Sequence, residues 1–508
     1  MEVANQRAEP TRGEFDRSYA NMALVLMALM VVMVLYVEAM LTPSLPAIQR
    51  EFGVTSAQVS LVLALYLVSG IALAPILGKL GDIYGKKRVL NYVLVVYCGA
   101  VTLTGFSPTF EFMLGSRMIQ GVGLGVMPLA MTLIREEFPR DLVPRAQSII
   151  SAMFGVGAAV SIPIGAYVSN QYGWQFTYHT AVPFVVLTAG LLIYKLRESR
   201  YSRPHSKVDF IGAGVLAGSL GMVVLGLSLG PSRGWTDPVI LALVFVGAGV
   251  LFPLVFYERG VREPILNMRL LSERDVLVTD IVILVTGFGM FLAMQTMAFK
   301  FESPSPSGFG YNIFDTGLSI VPFMIAQLVF APVAGFLVTR VGVKPLSMVG
   351  AGTTSLGFIL ASLTTTSTQL MITEFFAGSG IALLNASVIN LLILTVDPRD
   401  LGLATSLNTV FRTLGSSMGA PVAGTVLATF TVSIQVGQTG SVPIFALFPA
   451  PHAYQYAFYV AAAFFLVLLV VIPFALEVLG KHAQCVDDSA VGPSDAIKRK
   501  DGVEGQGK

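Results

Sequence analysis

The sequence predicts an all-α polytopic membrane protein with 14 transmembrane helices, and three observations carry that expectation. Of the 508 residues, 54% are hydrophobic and only 12% charged, with a mean hydropathy of +0.74; soluble domains are about 25% charged. Apolar runs recur along the chain, each near the ~20 residues a helix needs to cross the hydrocarbon of a bilayer. Lys and Arg then alternate between rich and poor loops. This composition excludes a soluble enzyme, and a net charge of +2 offers no basic surface to nucleic acid. Two cysteines (Cys98, Cys485) make no disulfide framework. The four histidines (His179, His205, His452, His482) lack metal-ligand spacing, so neither metal nor cofactor is expected.

Taken in order, the first six runs lie near 21–46, 57–77, 89–107, 112–134, 146–168 and 176–195. Two more follow at 210–229 and 238–256, then six at 276–299, 313–338, 345–364, 369–395, 402–432 and 455–478. The polar start (1–20) leads into a run longer than a signal-peptide core, so no cleavable signal is expected. With loops counted from the amino terminus, 27 of the 32 Lys and Arg fall on one side. Only Arg50, Arg233 and Lys300 fall on the other, and Arg117 and Arg412 lie inside spans. One misplaced span would invert every later loop and destroy this partition. The basic side is the cytoplasm by the positive-inside rule. A multi-pass cell-membrane protein with both termini cytoplasmic is therefore expected. The polar segment 479–508 reads as a disordered cytoplasmic tail.

A duplication relates the two sets of six. Gly78, Gly85 and Lys87 in GKLGDIYGKK match Gly335, Gly342 and Lys344 in GFLVTRVGVK at an offset of 257 residues. The same offset sets Arg117 against Glu374, Gly121 and Gly123 against Gly378 and Gly380, and Glu38 against Gln295. The tetrapeptide PRDL at 139–142 returns at 398–401, and Pro163 corresponds to Pro421. Polar anchors at near-constant offset are unlike chance matches between apolar runs. The organisation read from this is an N-terminal six-helix bundle (21–196), a linker with two extra helices (197–274) and a C-terminal six-helix bundle (275–478).

With six spans, an inserted pair and six more, the chain resembles the major facilitator superfamily, and within it the fourteen-helix drug:proton antiporter branch. GKLGDIYGKKR (78–88) is similar to the superfamily's loop signature between helices two and three. SRMIQGVGLG (116–125) is similar to the fourth-helix motif with its buried arginine. Glu38 followed by LTPSLPAI resembles the first-helix motif, where the branch normally carries Asp. GWQFTY (173–178), VDFIGA (208–213), residues 258–271 and FRTLGSSMG (411–419) fit as well. The helix-five motif departs from the branch's Gly-Pro-x-x-Gly-Gly: Ile162 precedes Pro163 where glycine is usual. The resemblance implies a monomeric transporter for amphipathic or cationic small molecules, exporting them in exchange for protons. A dedicated metabolite or lipid carrier working by symport or uniport is the runner-up, and a transport-dead membrane sensor ranks below it.

Charges at bilayer depth cost about 2.5–3.5 kcal/mol on insertion scales and normally face a bundle interior. Glu38 and Arg117 fall at comparable depth, and the resemblance makes their helices neighbours. They read either as a proton-coupling site or as a fixed ion pair that sets packing. Glu374 is the second acidic candidate for coupling. Arg412, Asn408, Gln295, Asn385 and His179 are candidate cavity residues, with plain packing contacts as the alternative. Asp280 reads as a headgroup-level acid near the end of span nine. Asp82, with Gly78, Gly85, Lys86 and Lys87, is the expected cytoplasmic gate, its carboxylate capping a helix N-terminus and pairing with a cation. Pro163 and Gly165 are the expected hinge of span five.

Overall fold

The computed structural model describes residues 17–138, 143–198, 208–261, 264–396, 401–439 and 442–475. The tail at 479–508 and most of that at 1–20 lie outside them. The first six long helical elements are α1 (Arg17–Ala39), α2 (Leu61–Tyr84), α3 (Lys86–Gly105), α4, α5 (Val143–Tyr172) and α6 (Trp174–Lys195). The element α4 is composite: helix Phe110–Gln120, a 3-10 stretch Gly121–Gly125, then helix Val126–Glu137. The inserted pair is α7 (Phe210–Arg233) and α8 (Pro238–Gly260). The last six are α9 (Arg274–Glu302), α10 (Ile313–Val341), α11 (Val343–Ser362), α12 (Ser367–Thr395), α13 (Leu401–Thr429) and α14 (Pro451–Val471).

Each predicted span has its helix, and among the described residues twelve helices are both long and apolar enough to cross a bilayer. The exceptions, α5 and α13, have ample length at 30 and 29 residues. Helix α13 is rich in Gly, Ala and Ser, which lower hydropathy and permit close helix approach. The predicted span 21–46 also breaks. Its helix ends at Ala39, a 3-10 turn covers Thr42–Ser44, and Leu45–Phe52 forms a separate short helix. Pro43 and Pro46 sit in the first turns of these two pieces, where a missing amide hydrogen costs nothing.

The all-α expectation needs one correction. Thr431–Thr439 (β1) and Val442–Pro449 (β2) form an antiparallel hairpin between α13 and α14, with an irregularity between Gln435 and Gly437. Its base is tied to the loop after α9, where the Ser307 hydroxyl donates to the Pro449 carbonyl.

The duplication is visible in local geometry. Gly85 ends α2 at φ +101° and Gly342 ends α10 at φ +95°, a conformation costly to any residue with a Cβ. Thr109 caps α4 by accepting from Phe112 N, and Thr366, 257 residues on, caps α12 by accepting from Gln369 N.

In the N-terminal half α1 packs on α5 and α3 on α6; in the C-terminal half α9 packs on α13 and α11 on α12. The halves meet where α5 lies against α10 and α2 against α13. Helix α7 packs on both α2 and α13, with Thr425 Oγ1 donating to Leu227 O at 2.8 Å. Helix α8 covers α7 and is itself largely exposed.

Candidate substrate and proton site

Among the described residues, side-chain bonds between the halves gather at the end opposite the basic loops. Arg50 pairs with Glu302 at 2.8 Å, Ser56 Oγ donates to Gly424 O at 3.2 Å, and Gln295 Nε2 donates to Ser56 O at 3.3 Å. At that end Gly317 of α10 faces Ala166 of α5 too closely to carry a side chain. This end is closed, and the ionisable residues between the halves lie on its inner side.

Arg117 is fully buried in α4, and its guanidinium is held through Nε and Nη1, with Nη2 left without a hydrogen-bond partner. Nε donates to Val62 O and Nη1 to Gln120 Oε1, both at 2.8 Å, with longer contacts from Nη1 to Val37 O (3.5 Å) and Tyr178 OH (3.4 Å). The group also stacks 4.8 Å from the Tyr66 ring centroid. Arg117 therefore joins α1, α2, α4 and α6, and reaches α1 at the residue before Glu38.

Glu38 sits one residue before the end of α1 and stays partly accessible. Two guanidiniums act on its carboxyl group. The larger influence is Arg412 of α13, from the other half, and the smaller is Arg117. The sequence reading paired Glu38 with Arg117 alone. Arg412 was singled out only as a cavity residue, because no spacing argument joins positions 38 and 412.

Glycine-seamed packing brings Arg412 to this place. Side chains at Gly287, Gly415 and Gly419 would collide with backbone of the facing helix, so α9 and α13 lie in near backbone contact. This accounts for the glycines of FRTLGSSMG. One turn before Arg412, Asn408 Nδ2 donates to Asp280 Oδ1 at 3.2 Å. Asp280 is fully buried between helices.

Glu374 is also buried, and neither of its carboxyl oxygens has a hydrogen-bond partner. The opposite charge acting on it is Lys300, which sequence reading left in a loop. Helix α9 continues to Glu302, and the Lys300 ammonium turns inward to donate to Thr364 Oγ1 (3.0 Å) between the Phe309 and Phe458 rings.

The remaining candidates take varied places. Gln295, the repeat counterpart of Glu38, is buried at the closed end on Ser56 O. Asn385 is half-buried in α12. His179 packs against Phe106 and Phe176, at ring distances of 4.5 and 5.4 Å. Trp174 anchors the α1–α2 connection by donating from Nε1 to Glu51 Oε2 at 2.6 Å. The Gly121 and Gly123 backbones lie against α2 and the Tyr97 ring.

At the basic end Asp82 pairs with Lys86 at 3.1 Å, as expected of the gate. A second acid caps the start of α3. Glu198, beyond α6, accepts from Lys87 N at 3.0 Å at the start of α3 and fills the space beside Gly85. Gly78 has open space around its Cα. Gly165, beside Pro163 in α5, lies 2.5–2.9 Å from Met40 backbone atoms when a Cβ is placed on it, so α5 and the end of α1 touch there.

Comparison with known proteins agrees with this architecture. The chain is 28% identical over 374 residues to multidrug resistance protein 3 of Bacillus subtilis, covering 72% of this chain and 71% of that one. It is 26% identical over 391 residues to the multidrug transporter protein MdtP of the same organism, covering 76% and 71%. Among solved structures it superposes on a bacterial homologue of the lysosomal transporter Spinster with TM-score 0.65 at 14% identity, covering 90% of this chain and 96% of that one. The Escherichia coli xylose transporter XylE gives TM-score 0.60 at 14% identity, covering 91% and 99%. The model of the Major Facilitator Superfamily matches residues 27–321 and 279–484. Those segments span nearly the whole chain, and this protein belongs to the Major Facilitator Superfamily, as a transporter and not an enzyme.

Proposed function

We propose that this protein exports amphipathic small molecules, cations among them, in exchange for protons by alternating access across the cell membrane. The observation that carries the reading is the placement of Glu38. It is a partly accessible carboxyl group at the junction of the halves, acted on by Arg412 from one half and Arg117 from the other. A carboxyl group whose surroundings belong to two moving bodies changes its electrostatic environment as they rock. Proton binding and conformational exchange are thereby linked. Relatives named as multidrug transporters support an efflux role.

In this reading all 14 helices span the bilayer and the protein works as a monomer. The basic end, with both termini, faces the cytoplasm. Glu38 and Arg117 couple protons, with Glu374 as a second acidic contributor working against Lys300. Pro163 and Gly165 lie at the moving α1–α5 contact. The Asp82–Lys86 pair and the capped α2–α3 junction form the gate of the cytoplasmic end. Ile162, where the branch keeps glycine, favours symport or uniport of a single metabolite as the second reading.

The test is transport in proteoliposomes under an imposed pH gradient, against a panel of cationic, neutral and anionic amphipaths. Proton movement opposite to substrate, strongest for the cations, is expected. Uptake of one compound with no proton movement would establish the uniport alternative.

A further inference from the structure

Asp280 is unlike Glu302 and Glu374. Glu302 is buried beside Arg50, and Glu374 lies within the influence of Lys300. Asp280 has an amide instead: Asn408 Nδ2 donates to Oδ1, and Oδ2 is buried without any partner. A permanently charged carboxylate at this depth normally brings a cation with it. A permanently neutral hydrogen-bonding role would be met by asparagine. The observed arrangement suits neither, but it suits a carboxyl group that alternates between the two forms.

Charged groups stand around it at some remove. On its own helix these are Arg274 and Asp275 at the start of α9. On α13 it is Arg412, one turn beyond Asn408. On α11 it is Lys344, which lines a small cavity together with Val278 and Thr279. The α12 residues lining that cavity (Ser387, Val388, Leu391) and those just after α14 (Ile472, Ala475) carry no charge.

We infer that Asp280 is a second proton-carrying carboxyl group, in the opposite half from Glu38, and that α13 links the two through Asn408 and Arg412. The inference rests on the proton-coupled reading above. Uptake adds a proton from water to Oδ2, forming an O–H bond and a neutral acid, while Asn408 continues to donate to Oδ1. Release breaks that O–H bond, returns the proton to water and restores the carboxylate. Each change of charge acts on Asn408, and so on the stretch of α13 that carries Arg412 towards Glu38. Movement of α13 along its glycine seam thus connects the two proton sites. Asp280 lies nearer the basic end of its helix than Glu38 does of α1, which places it towards the cytoplasmic exit for protons.

The experiment uses the full chain, with ethidium as probe and the membrane potential clamped. Two protons per ethidium support about 100-fold accumulation for a one-unit pH gradient, and one proton about tenfold. Wild type is expected near the first value, Asp280→Asn near the second, and Glu38→Gln at none. Infrared difference spectra after a pH jump, on the purified full chain without substrate, supply an independent readout. Asp280→Asn should remove one protonated-carboxyl band and Asp280→Glu should restore it at a shifted frequency. An unchanged infrared spectrum in Asp280→Asn overturns the second carrier. Loss of that band in Asp280→Asn, with Glu38→Gln indistinguishable from wild type, keeps Asp280 as a proton carrier and removes the Glu38 reading instead.

Discussion

The Arg50 guanidinium meets the Glu302 carboxylate at 2.8 Å and joins the two halves at the closed end, but the partners are unequally buried. The Arg50 side chain is 53% exposed and that of Glu302 only 2%. Removing Arg50 strands a buried charge, whereas neutralising Glu302 leaves an arginine that water can solvate. Arg50→Ala should therefore weaken closure by about 2–3 kcal/mol, and Glu302→Gln by less than about 1 kcal/mol. The double variant should recover most of the loss. Spin-label distances across the closed end, compared among the three variants, check the order; equal effects from both single changes would contradict it.

Gly165 and Gly78 make a contrasting pair. A Cβ on Gly165 would press against the Met40 backbone, which has no rotamer by which to yield, while nothing lies within 4 Å of the corresponding position at Gly78. Gly165→Val should lower stability by about 1–3 kcal/mol, the usual cost of overpacking. Gly78→Ala should leave the melting temperature in detergent unchanged. Thermal unfolding of the two purified variants side by side tests the difference.

At the basic end two acids perform two tasks. Glu198 caps α3, so Glu198→Ala should cost about 1 kcal/mol of stability, as loss of a cap does. Asp82 pairs with Lys86 at the α2–α3 junction, so Asp82→Asn should slow transport severalfold while the melting temperature barely moves. Measuring both properties on both variants separates the roles. A stability loss confined to Asp82→Asn would reverse the assignment.

Arg117 cannot be exchanged for lysine at small cost. Its Nε and Nη1 serve Val62 O and Gln120 Oε1 simultaneously, and its plane stacks on Tyr66. A lysine ammonium is a point donor and reproduces neither the fork nor the stacking. Arg117→Lys should destabilise the protein by about 2–4 kcal/mol through buried acceptors left unpaired, and it should abolish transport. Thermal unfolding together with a transport assay checks this; wild-type behaviour in both would mean the arginine acts as a charge alone.

The residues easiest to recognise in the sequence were those that break a pattern. A charge inside an apolar run identifies Glu38, Arg117, Glu374 and Arg412, and paired glycines at a constant offset expose the duplication. What stayed hidden depends on partners distant in the chain. Glu198 caps a helix that starts 112 residues before it, and Arg412 acts on Glu38 from the other half, on a helix positioned by a glycine seam. The Asn408 partner of Asp280 was hidden because distance from a span end says nothing about a neighbouring helix that covers it. Lys300 was misplaced because α9 runs to Glu302, beyond its apolar run. The hairpin at Thr431–Pro449 has a strand signature in the alternation of Thr431–Gln435, which a search for twenty-residue apolar runs passes over.

The central claim is that Glu38 carries the proton that drives transport. Its most direct test is exchange against net transport in proteoliposomes of Glu38→Gln, with ethidium as probe. Uphill accumulation under a pH gradient should disappear, and ethidium–ethidium exchange across the membrane should persist, since the amide keeps the shape of the site but cannot exchange a proton. Glu38→Asp should restore part of the uphill transport. Full pH-driven accumulation in Glu38→Gln would contradict the account.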